Sequence, residues 1–209
     1  MTTQKLCAGI CCSHEMVFKK FFWSFINIRN TYPTRYLQGG HPWDVVRNNH
    51  IISDFLKSDC DIFVKMDVDQ IYPQNFFEAM VPLVDQYKVI GPLIFDRWAQ
   101  NSFMPLAFDK VNENKFPLRG CNIMKGIHEI PFPHTNLFYA REVLEKLKPP
   151  YYEAHLREDG LDRANHVDYT FLQKIKDAGY PIYINSDVVV AHIAVEGVSL
   201  DFYRRWNKV

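Results

Sequence analysis

Short apolar runs alternate with segments of helical period through the first half of the chain. Residues 5–12 (KLCAGICC) are apolar between polar neighbours, the pattern of a strand buried on both faces. Residues 16–28 then place Val17, Phe21, Ser24, Phe25 and Ile28 along one helical face. Residues 34–37 predict a second short strand, closed by Gln38-Gly39-Gly40. Over residues 43–56 the positions Val46, His50, Ile51 and Phe55 predict a second helix, with Pro42 suited to its first turn. Residues 61–70, DIFVKMDVDQ, hold a third apolar run that is broken by Lys65 and ends in two aspartates. Tyr72-Pro73 interrupts the backbone, helical period resumes over residues 75–87, and residues 88–95 (KVIGPLIF) predict a fourth strand. This alternation predicts a parallel, doubly wound α/β sheet.

The periodicity fades over residues 96–134. Asparagine, proline and single aromatics dominate there, and KVNENKFPLRG reads as loop or short hairpin. Irregular stretches of that length in a compact domain are usually functional loops or disordered ones. Helical period returns over residues 138–147 (FYAREVLEKL), stopped by Pro149-Pro150, and over residues 167–178, ended by Gly179. Residues 181–192 (PIYINSDVVVAH) predict a strand pair or one long bent strand. No repeat, low-complexity tract or linker divides the chain, so one domain over residues 1–209 is expected, with halves at 1–95 and 96–209.

Composition narrows the class. A 47% hydrophobic content over 209 residues is enough for a sizeable core and excludes a disordered or fibrous protein. Lys plus Arg equals Asp plus Glu at 24 each, which removes any overall electrostatic case for nucleic acid or an anionic membrane; a basic function must be local. The N-terminus MTTQKLCAGICCSHEM lacks a basic flank followed by a long apolar stretch, and nothing approaches the roughly 20 apolar residues of a membrane span. A soluble, cytoplasmic protein is therefore expected. Cys7, Cys11, Cys12, Cys60 and Cys121 are odd in number and lack C-x-x-C spacing, so buried reduced thiols are expected in place of disulfides or a zinc site.

The two aspartates raise the chemical question. On a strand, residues i and i+2 share a face about 7 Å apart, so Asp67 and Asp69 would project side by side. Two carboxylates at that separation repel by roughly 2–3 kcal/mol at an effective dielectric near 20. Full hydration, a shared proton or a divalent cation between them would each relieve the repulsion. Ligands of doubly wound sheets bind at the carboxyl ends of the strands, which is where Asp67 and Asp69 fall, as do Ser13 and His14 after the first strand.

Four segments together resemble the GT-A fold of nucleotide-sugar-dependent glycosyltransferases, over roughly residues 5–195. They are the strand SDCDIFVKMDVDQ; the Arg47-Asn48 pair in VVRNNH; the stretch HVDYTFLQKIKDAGYPIYINSDVVVAHI, with Asp168 eleven residues before Gly179 (179 − 168 = 11); and His192. The chain is also similar to small transferase domains encoded by large algal viruses, for which the host cytoplasm is the implied compartment. The resemblance implies a nucleotide-sugar-binding half at 1–95 and an acceptor-binding half at 96–209, within a mostly parallel Rossmann-like sheet flanked by helices. It implies transfer of a hexose or deoxyhexose from a UDP-sugar to a glycan or glycoprotein hydroxyl, with Mn²⁺ or Mg²⁺ as cofactor.

The implied roles fall on particular residues. Asp69 would ligate the metal, Asp67 would ligate it too or contact the ribose and a metal-bound water, and His192 would complete the protein's share, its imidazole favouring Mn²⁺. Arg47, with Asn48, would meet the diphosphate or a sugar hydroxyl, and Ser13 and His14 the uracil or ribose. Asp168 would be the catalytic carboxylate: a general base in an inverting enzyme, a stabiliser of the oxocarbenium-like centre in a retaining one. It also suits the first turn of the following helix, and Glu158-Asp159 is a rival acid pair. The Pro133-His134-Thr135-Asn136 loop, ahead of a helix, would face the acceptor, and Trp98, Phe103 and Tyr151 are candidates to stack on sugars.

Three features depart from the family pattern. Val167 replaces a glutamate, Gln173 or Lys174 stands where an arginine is common, and the aspartate after the second strand is missing unless Asp44 or a backbone group takes its place. A non-catalytic nucleotide-sugar or glycan-binding module is the rival class, and a sugar-phosphate nucleotidyltransferase a second, disfavoured because ICCSHE is not a glycine-rich loop. The ending DFYRRWNKV is compatible with further domains in a longer polypeptide.

Overall fold

The computed structural model describes residues 4–12, 17–95, 105–121 and 123–193. In chain order the elements of the first half are β1 (Leu6–Cys11), α1 (Lys19–Ile26), β2 (Thr34–Gly39), α2 (Asp44–Lys57), β3 (Ile62–Asp67), β4 (Gln70–Ile71), α3 (Phe76–Met80), a 3-10 turn (Val81–Leu83), α4 (Val84–Tyr87) and β5 (Val89–Ile94). Those of the second are β6 (Ala107–Val111), β7 (Pro117–Gly120), β8 (Ile127–Glu129), β9 (Phe132–Pro133), β10 (Phe138–Ala140), α5 (Arg141–Lys146), α6 (Val167–Asp177) and β11 (Tyr183–His192).

The central sheet has the order β2-β1-β3-β10-β5-β11-β4, with β8 also paired to β11. Its strands β2, β1 and β3 are mutually parallel, as are β5 and β11, while β10 runs antiparallel to both β3 and β5 between them. The sheet is thus mostly parallel, as the alternation of elements predicts. A small antiparallel sheet, β7-β6-β9, forms from the stretch that lacked periodicity.

Side chains alternate faces along each strand, which divides the core in two. Leu6, Ala8, Ile62, Val64 and Met66 pack with Phe76, Phe77 and Val84 beneath α1, α3 and α4. Cys7, Cys11 and Phe63 pack with Ile51, Phe55 and Phe171 beneath α2 and α6. α2 lies almost on the sheet: a Cβ on Gly9 would stand 2.4 Å from Ile51 Cγ2, and one on Gly39 at 2.4 Å from Arg47 Cγ. Cys7, Cys11, Cys12 and Cys60 are buried and unbridged, and burial pushes the Cys7 and Cys11 thiols up to about 12, keeping them protonated.

Two local expectations change. Residues 138–140 are a strand, because Phe138 and Tyr139 are each fully buried toward opposite cores, which a helix on the sheet surface could not achieve. The helix expected over 75–87 is broken into three short pieces where Pro82, lacking an amide N–H, occupies the middle of the 3-10 segment. Of the two alternatives for residues 181–192, the single long strand holds: residues 183–192 form one strand whose register slips between Asn185 and Val189. α6 ends as expected: Gly179 has φ +91°, with Gly179 N–H donating to Lys176 O and Tyr180 N–H to Ile175 O.

Arg141 ties the two halves together. Its guanidinium donates to the carbonyls of Phe55, Leu56, Ser58 and Cys60, satisfying the end of α2, and lies 4.7 Å over the Phe55 ring. Arg141→Met, which keeps the stem, is expected to cost about 2–3 kcal/mol, read as a lower urea midpoint at unchanged slope. No helix among the described residues is long and apolar enough to cross a membrane.

Candidate functional site

The reversed strand β10 assembles the site. β1, β2 and β3 end level, with Cys11 paired to Gly39 on one side and Asp67 on the other. Because β10 runs the other way, with Phe138 opposite Val64, the residues that enter it arrive at the edge where its neighbours end. His134, Thr135 and Asn136 are delivered there, followed by a strand and not directly by a helix. β11 ends at the same edge, and α6, which feeds β11 through a short turn, begins there. Asp67, Asp69, Asp168 and His192, scattered over more than 120 residues, thereby meet at one rim.

Asp67 and Asp69 do not project side by side along a strand. β3 stops at Asp67, residues 68–69 turn, and β4 reverses to pair with β11. Tyr72 pins that turn: its hydroxyl accepts from Asp67 N–H at 2.9 Å and lies 2.9 Å from Gln70 Oε1. The residue that shares a face with Asp67 is Lys65. Its ammonium donates to both Asp67 carboxylate oxygens at 2.9 Å and to Asn136 Oδ1 at 3.0 Å.

Burial alone would oppose both charges, but the pairing prevails. Asp67 is drawn down to about 2 by the Lys65 ammonium, with His134 and His192 adding to the pull. The Lys65 ammonium is raised above its ordinary value, chiefly by Asp67. Asn136 Nδ2 continues the network to Gln70 Oε1 at 2.6 Å, and Gln70 Nε2 is buried without a hydrogen-bond partner.

Asp69 and His192 are brought together by the β4–β11 ladder. His192 pairs with Gln70, and Ile193 N–H donates to Asp69 O at 2.7 Å. His192 Nδ1 lies 2.9 Å from Phe95 O, so the tautomer with a proton on Nδ1 leaves Nε2 as the nitrogen open to a ligand. A histidine steadied this way through its other nitrogen has the usual setting of a metal-binding imidazole. Among the described residues no three His, Cys, Asp or Glu side chains form a ready-made metal cluster. Asp69 and His192 stand at adjoining positions of the β4–β11 pairing as candidate ligands for a divalent cation, and Asp67, the third candidate, is hydrogen-bonded by Lys65. His134 packs edge-on to His192 at 5.7 Å, and enclosure lowers its imidazole to about 4, so it is neutral at pH 7.

Asp168 stands in the first turn of α6, and Thr135 Oγ1 donates to its Oδ1 at 3.1 Å. Beside it opens a cleft of ≈ 260 Å³ lined by Asp44, Phe116, Arg163 and His166 among others. His166 stacks on Tyr169 at 4.2 Å, its Nδ1 is buried without a partner, and burial lowers its basicity. Across the cleft Arg163 clasps Asp44 through two bonds of 2.9 and 2.7 Å, which commits Asp44 to holding α2 against the loop before α6.

Arg47 and Asn48 lie in the first half of α2. Arg47 Nη1 donates to His41 O at 3.2 Å, and its Nε is buried without a partner. Asn48 is buried, accepting from the Cys11 thiol at 3.3 Å, so it steadies the end of β1. Its neighbour Asn49 binds the backbone of Tyr151 and Tyr152, joining α2 to the second half. Ser13, His14, Trp98 and Phe103 lie outside the described residues. Tyr151 is buried in the core, and Glu158 and Asp159 are exposed, Asp159 accepting from Leu161 N–H within its own turn. Sequence reasoning missed Lys65 as part of the site, and it placed Thr135 in the acceptor-facing loop without its bond to Asp168. The signal for Lys65 was present, since the period of two that was applied to Asp67 and Asp69 places Lys65 on the same face.

The architecture is the GT-A fold of glycosyltransferases. Among solved structures, A197 from STIV superposes with a TM-score of 0.61 at 16% identity, over 90% of this chain and 85% of that one. GalNAc-T7 with UDP, GalNAc and Mn²⁺ superposes with a TM-score of 0.56 at 12% identity, over 99% of this chain and 48% of that one. The 1–349 segment of S. aureus TarS gives 0.52 at 11% identity, over 89% and 60%. This chain thus spans about half to three fifths of the last two. No protein-family profile and no curated protein sequence matches it.

Proposed function

We propose that this protein is a metal-dependent glycosyltransferase that moves a hexose or deoxyhexose from a UDP-sugar to a hydroxyl of a glycan or glycoprotein. The observation that carries the reading is the convergence of Asp69, His192 and Asp168 on one rim of a GT-A sheet. The bound UDP and Mn²⁺ of the GalNAc-T7 structure are in keeping with it. Residues 1–95 would hold the donor and residues 96–209 the acceptor.

In this reading Asp69 and His192 hold Mn²⁺, with Mg²⁺ as the weaker substitute. The cation supplies positive charge against the charge that builds on the leaving diphosphate. Asp67 serves as an oriented carboxylate beside the cation, kept ionised by Lys65, and contacts the ribose. Arg47, with an unpartnered Nε, gives the diphosphate a forked donor, while Asn48 positions the end of β1 beneath it. Ser13 and His14 follow β1 and meet the uracil or ribose. Asp168, oriented by Thr135, takes the acceptor proton in an inverting transfer or faces the anomeric carbon in a retaining one; the anomeric configuration of the product separates the two.

Calorimetric titration of UDP with and without Mn²⁺ tests the site. Wild type should bind UDP at least about tenfold more tightly with Mn²⁺, and Asp69→Ala should abolish that gain. Affinity indifferent to both metal and substitution would remove the proposed site. A panel of UDP-sugars, read as hydrolysis to UDP, then identifies the donor; metal-dependent binding with no turnover of any donor would assign a binding module instead.

A further inference from the structure

The segment that forms α1 and β2 departs from the electrical balance of the chain. Residues 16–43 contain no Asp or Glu, while Lys19, Lys20, Arg29 and Arg35 supply four positive charges. β2 is the terminal strand of the central sheet, and α1 lies beside it with Phe25 against Tyr36 at 5.4 Å. Arg29 and Arg35 are met by Glu78 and Asp59 from neighbouring elements, so the basic character that remains is that of Lys19 and Lys20 on α1.

α1 also carries an apolar face that stays exposed among the described residues. Phe21 is buried, and Ser24 Oγ on the same side accepts from Tyr72 N–H at 3.2 Å. On the opposite side Phe18, Phe22 and Ile26 recur at i, i+4 and i+8, and Trp23 adjoins them. All four, with Tyr36 on β2, are between 46% and 52% exposed. Phe22 and Trp23 meet edge to face at 5.5 Å and make one platform. Lys19 falls within this arc at 100° per residue and Lys20 at its border, and neither has a carboxylate partner among the described residues.

We propose that α1 and β2 dock this protein on an anionic lipid membrane surface. Contiguous exposed apolar residues mark an interaction surface. Here they are aromatic and interleaved with lysine, the composition that settles at a lipid headgroup boundary, with rings in the acyl margin and ammonium groups at the phosphates. Charge selects the occupant: Arg29 and Arg35 lie within 4.0 Å of Glu78 and Asp59, but a second copy would set the uncompensated Lys19 and Lys20 against their like, whereas anionic lipid complements them. Shape agrees, because the side chains stand out from a convex helix and suit a deformable surface. Since α1 returns from the edge where β1 ends, docking would hold the candidate site close to the bilayer.

Sedimentation of the full chain with large vesicles tests the proposal, using phosphatidylcholine alone or with about 30 mol % phosphatidylserine. Wild type should co-sediment with the anionic vesicles, much less with the neutral ones, and lose binding as salt rises from about 0.1 to about 0.5 M. Phe22→Ser/Trp23→Ser and Lys19→Glu/Lys20→Glu should each lower partitioning at least about tenfold while UDP affinity and thermal midpoint hold, since these side chains are exposed. Absence of lipid binding, or variants that bind as wild type, would overturn the proposal. A dimer seen by light scattering and dissolved by Phe22→Ser/Trp23→Ser, without lipid binding, would assign the face to a second copy instead.

Discussion

Asp168→Asn is expected to lower kcat for sugar transfer by about 10²–10⁴-fold, roughly 3–5 kcal/mol of transition-state stabilisation, while UDP affinity in Mn²⁺ stays within about twofold. Asparagine keeps an Oδ1 that can accept from Thr135, so the side chain stays in place, but it cannot take a proton or supply negative charge. The competing role for Asp168 is structural, a first-turn carboxylate favourable to the dipole of α6, worth only about 0.3–1 kcal/mol. The two roles separate cleanly: a catalytic carboxylate loses kcat at an almost unchanged thermal midpoint, whereas a purely structural one loses a few degrees and no kcat. Retention of more than about a tenth of wild-type kcat would exclude Asp168 as the catalytic group.

Lys65→Met is expected to cost about 3–5 kcal/mol, a fall in thermal midpoint of roughly 6–20 °C, because it strands the Asp67 carboxylate against a buried apolar face. The ion pair as a whole is worth far less, since burial penalises both charges. Lys65→Met/Asp67→Asn should therefore recover most of the loss. A double variant no more stable than Lys65→Met would show that the lysine acts through something other than Asp67. The pH dependence follows from the depressed carboxyl. Asp67, at about 2 in the folded protein, stabilises fully above the ordinary aspartate range, and that contribution is lost as pH falls toward 2. Wild type should lose stability over that window more steeply than Lys65→Met/Asp67→Asn, measured by urea unfolding at a series of pH values.

Part of this was legible from residues alone. Alternating apolar runs and helical periods define β1, α2, β3, β5 and α6 nearly to the residue, since burial between two layers demands those patterns locally. Gly179 marked the end of α6 because its left-handed φ suits glycine. The strand β10 was not legible. Its three residues carry no period, and FYAREVLEKL merges it into α5; what makes it a strand is the slot between β3 and β5, contributed by residues 62–67 and 89–94.

The candidate site divides the same way. The DIFVKMDVDQ stretch announced an acidic tip on a buried strand, and the resemblance to the GT-A glycosyltransferases singled out Asp168 and His192 as candidates to join it. That Asp67 faces Lys65 and Asn136, while Asp69 turns toward β11, was decided by tertiary structure. Side-chain alternation is a local rule and reaches as far as Lys65. A reversal of chain direction at residues 68–69, and an antiparallel strand that carries Thr135 to Asp168, depend on contacts between residues 33 to more than 100 apart. The sequence by itself determined which residue types stand at strand ends; the order and direction of the strands in the sheet decided which of them meet, because backbone hydrogen bonding between distant segments sets that geometry.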